Sequence, residues 1–401
     1  MAILVAHPDT QHSVHAARGL RRAGLLECLY TSFSLRRPRW LGPIIERCAP
    51  SAYARLAQHR GHADFATEEL RVYPLHLVAS RFGREWSRGT RRSFGRAAAR
   101  LAAKRGAGVM AFDSNALETF RCLEGRGLPR ILDQSIAHRR WRERVCAEER
   151  ASFPDWEQAW DSSESPAHVI EEEDEEIARA DLILCGSEFC ASTMRAEGVA
   201  ADKLAVAEYG ADTVKFAPGE PQRTASVRLL FVGALQLRKG VPYLLEAVQR
   251  LEGLGVKLTL AGLVRIRQER LLPYSDFAQV LGSRLHAEMP GLYRSHDIYV
   301  FPSLVEGSSL SIYEALASGL PVITTPNSGS IVRDGVEGLL VPPRDVEALA
   351  HAIERLAREP ELRLEMGRAA RRRAVQFGTW ESYGARLAGR VLARFPEVAR
   401  S

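Results

Sequence analysis

The sequence predicts an α/β protein made of two doubly wound lobes that face each other across a cleft. Three observations support this fold class. The chain has 401 residues, more than one hydrophobic core usually supports. Short apolar runs alternate with helix-periodic stretches, which is typical of parallel sheets with crossover helices. The alternation is interrupted at a polar segment with two prolines and one glycine, residues 217–224, which we interpret as a linker.

The individual elements follow from the apolar runs. Before the linker we predict strands at residues 3–6, 109–112, 130–132, 182–185 and 204–206. The arginine- and alanine-rich stretch 94–105 predicts a surface helix, and the acidic run 171–180 predicts the solvated face of a helix rather than a metal site. After the linker we predict strands at residues 228–232, 256–261, 298–301, 321–324 and 338–341, with helices at 242–251 and 346–358. Open parallel sheets bind ligands at the carboxyl ends of their strands, so we expect the functional site in the cleft.

Composition narrows the function classes. Hydrophobic residues make up 46% and charged residues 26%, as in an ordinary globular protein, and the apolar runs are too short to cross a membrane. The six cysteines form no C-x-x-C pair and no pattern with histidine, so we expect reduced thiols, a cytoplasmic location and no zinc. Met1 leads directly into a strand-like run, so we expect no secretory leader.

Positive charge is concentrated in the first 105 residues, which hold 19 Lys and Arg against 7 Asp and Glu. Such a lobe attracts phosphates, anionic lipid head groups or nucleic acid. The arginine-rich region 81–105 also carries Phe82, Trp86 and Phe94, a combination that can rest on an anionic membrane. A solvated helix with aromatic core contacts gives the same pattern, and a solvated surface is the simpler interpretation.

The first candidate binding motif is the segment 231–240, in which a predicted strand runs into Gly233 and then reaches the adjacent cations Arg238 and Lys239. Without a side chain, Gly233 lets the backbone turn sharply and approach a ligand. Pro242 then lies near the first turn of a helix. A planar guanidinium and a compact ammonium at a strand-to-helix turn suit a diphosphate. The alternative is a surface loop with ordinary cations.

The second motif, residues 301–321, places two carboxylates eight residues apart in a strand-loop-helix unit. Free backbone amides at 308–311 would form an anion site at the positive end of the helix. Glu306 lies in the loop and Glu314 in the first or second turn, so both can flank one ligand. In the alternative, Ser311 and Glu314 form a capping box and Glu306 is an ordinary loop carboxylate.

Together these residues resemble the retaining glycosyltransferases of the GT-B fold, specifically the large family 4 group. The E-x7-E motif of that family matches Glu306 and Glu314, and its diphosphate-binding pair matches Arg238 and Lys239. Accompanying phrases match at 180–187, 209–212 and 334–343. The resemblance is strong from about residue 180 to 345 and weaker before 140.

The resemblance implies two Rossmann-like lobes and a donor site in the second. It implies an acceptor-side domain at 1–216, a nucleotide-sugar-binding domain at 217–380 and a C-terminal helix at 381–401 that packs back on the first domain. Arg238 and Lys239 would hold the donor diphosphate, Glu306 would contact the transferred sugar, and Glu314 would accept hydrogen bonds from the ribose. The remaining donor-binding residues would be Gly233, Gly307, Ser308, Ser309, Leu310 and Ser311, with the segment 280–292 cupping the base.

The N-terminal lobe offers three further candidates. The turn after the first strand holds His12 and Ser13, which we list as candidate substrate-binding residues, with a structural hydrogen-bonding role as the alternative for His12. This turn is not a G-x-G-x-x-G, so a dehydrogenase is disfavoured. His138 follows the predicted strand 130–132, and the resemblance implies that it faces the donor sugar. A surface-helix histidine is the alternative.

The resulting hypothesis is a retaining, metal-independent hexosyl transfer with Glu306, His138, Arg238 and Lys239 as the catalytic residues. We expect no metal and no cofactor besides the nucleotide-diphosphate sugar, and a UDP-sugar on general frequency alone. The acceptor would be a carbohydrate, a lipid-linked molecule or a small molecule. We expect a cytoplasmic protein, with peripheral contact at the inner membrane face through the basic lobe, and no nucleic-acid partner. The rival functions are a nucleotide-sugar epimerase or hydrolase and a non-catalytic binding lobe.

Overall fold

The N-terminal part of the chain forms one parallel sheet. The computed structural model describes residues 1–9, 12–32, 34, 47, 64–73, 84–158, 165–220 and 226–400. The strands of this sheet are β1 Ile3–Ala6, β2 Leu26–Thr31, β3 Leu70–Val72, β4 Gly108–Phe112, β5 Arg130–Gln134, β6 Leu182–Cys185 and β7 Leu204–Val206. Their order is β3-β2-β1-β4-β5-β6-β7, and all neighbours are parallel.

A second parallel sheet follows in the C-terminal part. Its strands are β8 Val227–Val232, β9 Val256–Ala261, β10 Ala278–Gly282, β11 Ile298–Phe301, β12 Val322–Thr324 and β13 Gly338–Leu340, in the order β10-β9-β8-β11-β12-β13. In each sheet the order reverses beside its first strand, between β1 and β4 and between β8 and β11. Loops that leave neighbouring strands at such a point diverge and open a crevice. The two doubly wound lobes of the sequence prediction are confirmed.

Helices connect the strands in both parts. They are α1 Ser13–Arg22, α2 Arg84–Arg105, α3 Leu117–Leu123, α4 Arg139–Ser152, α5 Ala167–Arg179, α6 Glu188–Ala196, α7 Val241–Gln249, α8 Gln268–Leu271, α9 Met289–Arg294, α10 Leu310–Ala317, α11 Val346–Arg358, α12 Pro360–Gln376 and α13 Trp380–Arg394. Short 3-10 turns at Leu237–Lys239 and Pro326–Ser328 precede the site loops described below.

The predicted strands are confirmed, with shifts of one or two residues at some ends. Strands such as β6 and β11 are buried along their whole length, which explains their continuous apolar runs. The sequence analysis missed β2, β3 and β10. The edge strand β10 exposes Gln279 and Val280, and β2 begins with the half-buried Leu26 and Glu27, so neither has an unbroken apolar run. The segment 280–292 is therefore not one loop, because it contains the end of β10 and the start of α9.

The acidic run is a solvated helix face only in part. It lies in α5, but Glu173 and Glu176 are each only 2% exposed. The Glu176 carboxylate accepts hydrogen bonds from the backbone N–H groups of 114, 116 and 117, at 2.8, 2.8 and 3.0 Å. Burial raises the pKa of Glu176 to about 8. Glu173 pairs with Arg139 at the start of α4. Glu176 therefore ties α5 to the loop after β4, and Glu173 ties α5 to the start of α4.

The basic helix α2 is also more buried than predicted. Phe94, Ala98 and Ala102 are at most 2% exposed and belong to the core on one side of the first sheet. Phe82 and the side chain of Trp86 lie outside the described part of the chain, so the membrane-contact prediction for 81–105 is untested there. In the ranges that the structure describes, no helix combines the length and hydropathy needed to cross a membrane.

The last long helix, α13, packs on the first one, α1. A Cβ atom added to Gly19 would lie 2.4 Å from the Cα of Gly384, so two glycines let these helices touch backbone to backbone. Tyr383 of α13 also donates a hydrogen bond to Asp133 at the end of β5, at 3.5 Å. The chain thus returns to the N-terminal sheet after the second sheet is complete. The domain limits at 216 and 380 stay predictions, and residues 221–224 of the linker lie outside the described residues.

Candidate functional site at the reversal point of the second sheet

The cationic turn after β8 is shaped by a glycine. Leu237–Lys239 forms a single 3-10 turn, and Gly240 follows with φ 72°, a left-handed conformation that favours glycine. A Cβ atom there would lie 2.1 Å from the carbonyl oxygen of Pro302, in the loop after β11. The close approach of these two loops brings Arg238 and Lys239 next to the loop that carries Glu306.

Glu306 is the centre of this cluster. Its Oε1 atom accepts hydrogen bonds from Arg238 Nη1 at 2.9 Å and from Ser303 Oγ at 2.8 Å, and it pairs with Lys239 Nζ. The Glu306 side chain is 9% exposed and the Lys239 side chain 11%. In the described part of the chain no residue donates to the other carboxylate oxygen. The structure therefore brings the predicted site residues Arg238, Lys239 and Glu306 together.

The charges in this cluster depend on one another. Burial lowers the pKa of Lys239 to about 8, although Glu306 opposes the shift. Burial alone would raise the pKa of Glu306, but the cations of Lys239 and Arg238 outweigh it and hold the pKa below its usual value. A buried ammonium needs a counter-anion. Here Glu306 serves as that anion, and a ligand phosphate would offer the same two cations negatively charged oxygens.

The N-terminus of α10 lies beside the cluster. Ser309 is the N-cap residue, but its backbone N–H already donates to the carbonyl of Ser328 at 3.2 Å. Among the amides at 308–311 that the sequence predicts as anion donors, those of Leu310 and Ser311 have no acceptor among the described residues and are available for a ligand. The hydroxyl of Ser308 is turned away and donates to the carbonyl of Gly329 at 2.9 Å.

Glu314 is held by a tyrosine rather than by a cap. Its Oε2 accepts a hydrogen bond from the hydroxyl of Tyr293 at 2.9 Å. Ser311 is already inside α10, and its hydroxyl accepts from Tyr299 at 2.6 Å, so the capping-box alternative is wrong. Burial raises the pKa of Glu314 to about 7. A half-buried carboxylate with one oxygen fixed is suited to accept hydrogen bonds from a diol.

The three N-terminal candidates, His12, Ser13 and His138, have different structural surroundings. His12 Nε2 lies 2.8 Å from Asp133 Oδ1, and the ring packs 4.3 Å from that of Tyr209, so His12 belongs to a buried polar network under the cleft. Ser13 is the buried first residue of α1. His138 caps α4, with Nδ1 accepting from the backbone of Arg140 at 3.2 Å. The Nε2 atom of His138 lies 3.7 Å from Asp174, so its ring contacts the N-terminal lobe and is not part of the Glu306 cluster.

The two lobes touch at the loop that carries Glu306. The backbone N–H of Ala137 donates to the carbonyl of Glu306 at 3.3 Å, and the hydroxyl of Ser187 donates to the carbonyl of Gly307. A Cβ atom on Gly307 would lie 2.0 Å from the carbonyl oxygen of Ser135. The loop that carries Glu306 is therefore packed against residues that follow β5 and β6.

Two residues that build the site escaped the sequence analysis. Ser303 holds Glu306, and Tyr293 holds Glu314. Serine is a common loop residue and Tyr293 lies 21 residues before its partner, so no local pattern marks either of them. Ser187, which belongs to a phrase that matched the family, anchors the Glu306 loop from the opposite lobe. Gly233 lies as predicted at the end of β8, where a Cβ atom would be 3.2 Å from the ring of Phe301. In the described residues no group of three or more His, Cys, Asp or Glu side chains is arranged to hold a metal.

Parts of this chain are similar in sequence to known proteins. Residues 226–359 match the family "Glycosyl transferases group 1". A putative colanic acid biosynthesis glycosyltransferase of Salmonella typhimurium is 29% identical over 49% of this chain and 52% of its own length. A glycogen synthase of Mycobacterium tuberculosis is 30% identical over 53% of this chain and 54% of its own length. The chain thus aligns with about half the length of these curated relatives.

Solved structures match the whole chain. A sucrose-phosphate synthase from Thermosynechococcus elongatus superposes with a TM-score of 0.70 over 99% of this chain and all of the other, at 19% identity. HepE from Anabaena, solved in complex with UDP and glucose, gives 0.64 over 98% of this chain and all of the other, at 15% identity. These likenesses show that the fold is the GT-B fold predicted from the sequence.

Proposed function

We propose that this chain is a retaining, metal-independent glycosyltransferase that moves a hexose from a nucleotide-diphosphate donor to an acceptor hydroxyl. One observation carries the proposal: Arg238 and Lys239 meet on one oxygen of Glu306, beside two free amides of α10. That arrangement provides two cations and an anion-binding helix end for the departing diphosphate. The match of 226–359 to a glycosyltransferase family supports the reaction class, and the E-x7-E resemblance supports retention.

Each site residue would have its own role in binding the donor. The donor diphosphate replaces Glu306 as the anion beside Lys239 and Arg238, and the amides of Leu310 and Ser311 bind its oxygens. Glu306, displaced but still nearby, contacts the sugar, and Glu314 accepts from the ribose. The acceptor hydroxyl attacks the anomeric carbon from the face that the diphosphate leaves, and the diphosphate takes the proton. Because the two cations neutralise the leaving group, the step needs no divalent metal.

The donor is expected to be a UDP-sugar, since HepE, with the same fold, was solved with UDP and glucose. The acceptor is expected to be a hydroxyl of a carbohydrate, a lipid-linked molecule or a small molecule. An epimerase or hydrolase would use the same donor site without an acceptor. The names of the curated relatives, a glycosyltransferase and a glycogen synthase, favour transfer over these alternatives.

The test is a screen of nucleotides followed by a product analysis. Thermal shifts with UDP, GDP, ADP and dTDP should show selective stabilisation by one of them, and the corresponding nucleotide-sugar should be consumed only with an acceptor. The product should keep the anomeric configuration of the donor. Rapid release of free sugar without acceptor would instead indicate a hydrolase, and no stabilisation by any diphosphate would refute the donor site.

Donor affinity is expected to depend on pH with an optimum between about 7 and about 8, the pKa values of Glu314 and Lys239. As the pH falls below the pKa of Glu314, the protonated carboxyl loses capacity to accept from the ribose, and affinity drops by up to about tenfold per unit. As the pH rises above the pKa of Lys239, the neutral amine no longer attracts the diphosphate. Calorimetry with a nucleotide-sugar from pH 5.5 to 9 measures both limbs.

A matched pair of variants tests whether Glu314 causes the loss of donor affinity below pH 7. Glu314→Gln should flatten the limb below pH 7 and leave the alkaline limb in place. The surface variant Glu347→Gln, whose side chain is 64% exposed, should behave as wild type. An acid limb that persists in Glu314→Gln would assign that titration to another group.

A further inference from the structure

A cavity of about 270 Å³ opens between the lobes beside Arg238. Helix α4 of the N-terminal lobe forms one wall and the turn at Gln236 to Arg238 forms the other. The functional site described above uses only the opposite side of Arg238, where the guanidinium meets Glu306. Nothing in the proposed donor chemistry uses the remaining walls of this cavity.

The wall formed by α4 is firmly attached to the C-terminal lobe. Glu149 of α4 is fully buried and accepts hydrogen bonds from the hydroxyl of Tyr243 at 3.0 Å and from Arg344 Nε at 2.6 Å. Beyond the helix, Glu157 pairs with Ile266 as an antiparallel bridge. These contacts fix the separation of the two walls, so the cavity is a constant feature of this lobe arrangement.

Arg142 projects from α4 into this space without a hydrogen-bonding partner. Its side chain is 17% exposed, and its nearest carboxylate oxygen, on Glu143, is 3.8 Å away, beyond hydrogen-bonding distance. No described residue accepts a hydrogen bond from its guanidinium. Burial, together with the cations of Arg139 and Arg238, lowers the pKa of Arg142 against the opposing pull of Glu173 and Glu143. A half-buried guanidinium near other cations is a binding group for an anion.

The carboxylates in the cavity wall are already engaged. Glu143 accepts a hydrogen bond from the hydroxyl of Ser165 at 2.6 Å. Glu157 accepts from the backbone N–H of Leu237 at 2.9 Å and so orders the cationic turn. Both therefore have structural partners, whereas the five N–H groups of Arg142 have none among the described residues.

We propose that this cavity is the acceptor subsite and that Arg142 binds a carboxylate or phosphate group of the acceptor. The inference rests on the proposed function and names its substrate class, an anionic hydroxyl compound. In a same-face transfer the acceptor hydroxyl approaches close to the leaving diphosphate, so its subsite must border the residues that hold that diphosphate. This cavity borders Arg238 from the N-terminal side and meets that requirement.

The test compares anionic and neutral probes on three proteins: wild type, Arg142→Gln and the control Arg144→Gln. Arg144 lies two residues further along α4, is 54% exposed and pairs with Glu197. Calorimetry with glucose 6-phosphate, glucuronate and glucose is run with the protein saturated in the nucleoside diphosphate that stabilises it. In wild type and Arg144→Gln at least one anionic probe should bind ten or more times tighter than glucose. In Arg142→Gln that preference should vanish while the nucleotide affinity stays unchanged.

Each other outcome overturns the inference in a distinct way. A weaker nucleotide affinity in Arg142→Gln, with the probe preference intact, would assign Arg142 to the donor phosphates. Equal binding of anionic and neutral probes to wild type would show that the cavity does not select anions. If no nucleoside diphosphate binds, the proposed function fails, and the same three probes on the nucleotide-free proteins still decide whether Arg142 selects anions.

Discussion

Replacing Lys239 with alanine is expected to lower kcat for sugar transfer by roughly 10²- to 10³-fold, the range typical for removing one preorganised group that stabilises transition-state charge. Lys239 is almost fully buried, and its ammonium lies 5.0 Å from the centre of the Phe301 ring, so water cannot replace it readily. Its charge acts on the diphosphate in a low-dielectric setting. Steady-state kinetics with the preferred nucleotide-sugar measures the loss.

The control for this variant must separate chemistry from folding. Removing Lys239 leaves the buried carboxylate of Glu306 with Arg238 as its remaining cation, and an under-compensated buried charge costs about 3–5 kcal/mol. A double variant, Lys239→Ala with Glu306→Gln, removes both charges and should regain most of the lost thermal stability without regaining activity. Lys257→Ala, at an exposed amine that donates to the carbonyl of Asp276, should leave both unchanged. Near-normal turnover in folded Lys239→Ala would contradict the proposed role of the cation.

The cluster of Arg238, Lys239 and Glu306 shows which features of the site local sequence patterns predict and which they do not. The two lobes, most strands and the pairing of a cationic turn with a carboxylate loop follow from local patterns, since buried strands need apolar runs and sharp turns need glycine. The convergence of Arg238 and Lys239 on Glu306 does not follow from local patterns, because 68 and 67 residues, respectively, separate them from Glu306. Only the neighbouring positions of β8 and β11 in the sheet bring these loops together.

The rejected capping-box alternative and the partly wrong interpretation of the acidic run share one physical cause. Glu314 and Ser311 have capping-box spacing, but α10 begins at Leu310. Their side chains instead accept hydrogen bonds from Tyr293 of α9 and Tyr299 of β11, respectively. Glu176 belongs to an acidic run, but three backbone amides of another loop give its carboxylate a buried site. In each case a long-range hydrogen bond overrides a local pattern. Polar residues are the least predictable part of such a sequence, because one distant donor decides their burial.

Replacing Gly307 with alanine is expected to lower kcat by roughly 10²-fold, the loss that a misplacement of about 1 Å produces. The new Cβ atom would lie 2.0 Å from the Ser135 carbonyl oxygen and 2.7 Å from the Cα of Ile136. Both contacts are backbone atoms of the opposite lobe, so no flexible side chain can make room. The lobes must separate or the Glu306 loop must shift, and either change moves Glu306 away from the face where the acceptor binds.

The readouts distinguish this effect from general destabilisation. The proposed nucleotide site lies within the C-terminal lobe, so Gly307→Ala should still bind the nucleoside diphosphate. If the lobes separate, small-angle scattering should show a larger radius of gyration. Gly389→Ala is the matched control, because no atom lies within 4 Å of its added Cβ and alanine favours the helix α13. It should keep full activity and at least wild-type stability. Wild-type kinetics in Gly307→Ala would mean that transfer does not need the observed contact between Gly307 and the N-terminal lobe.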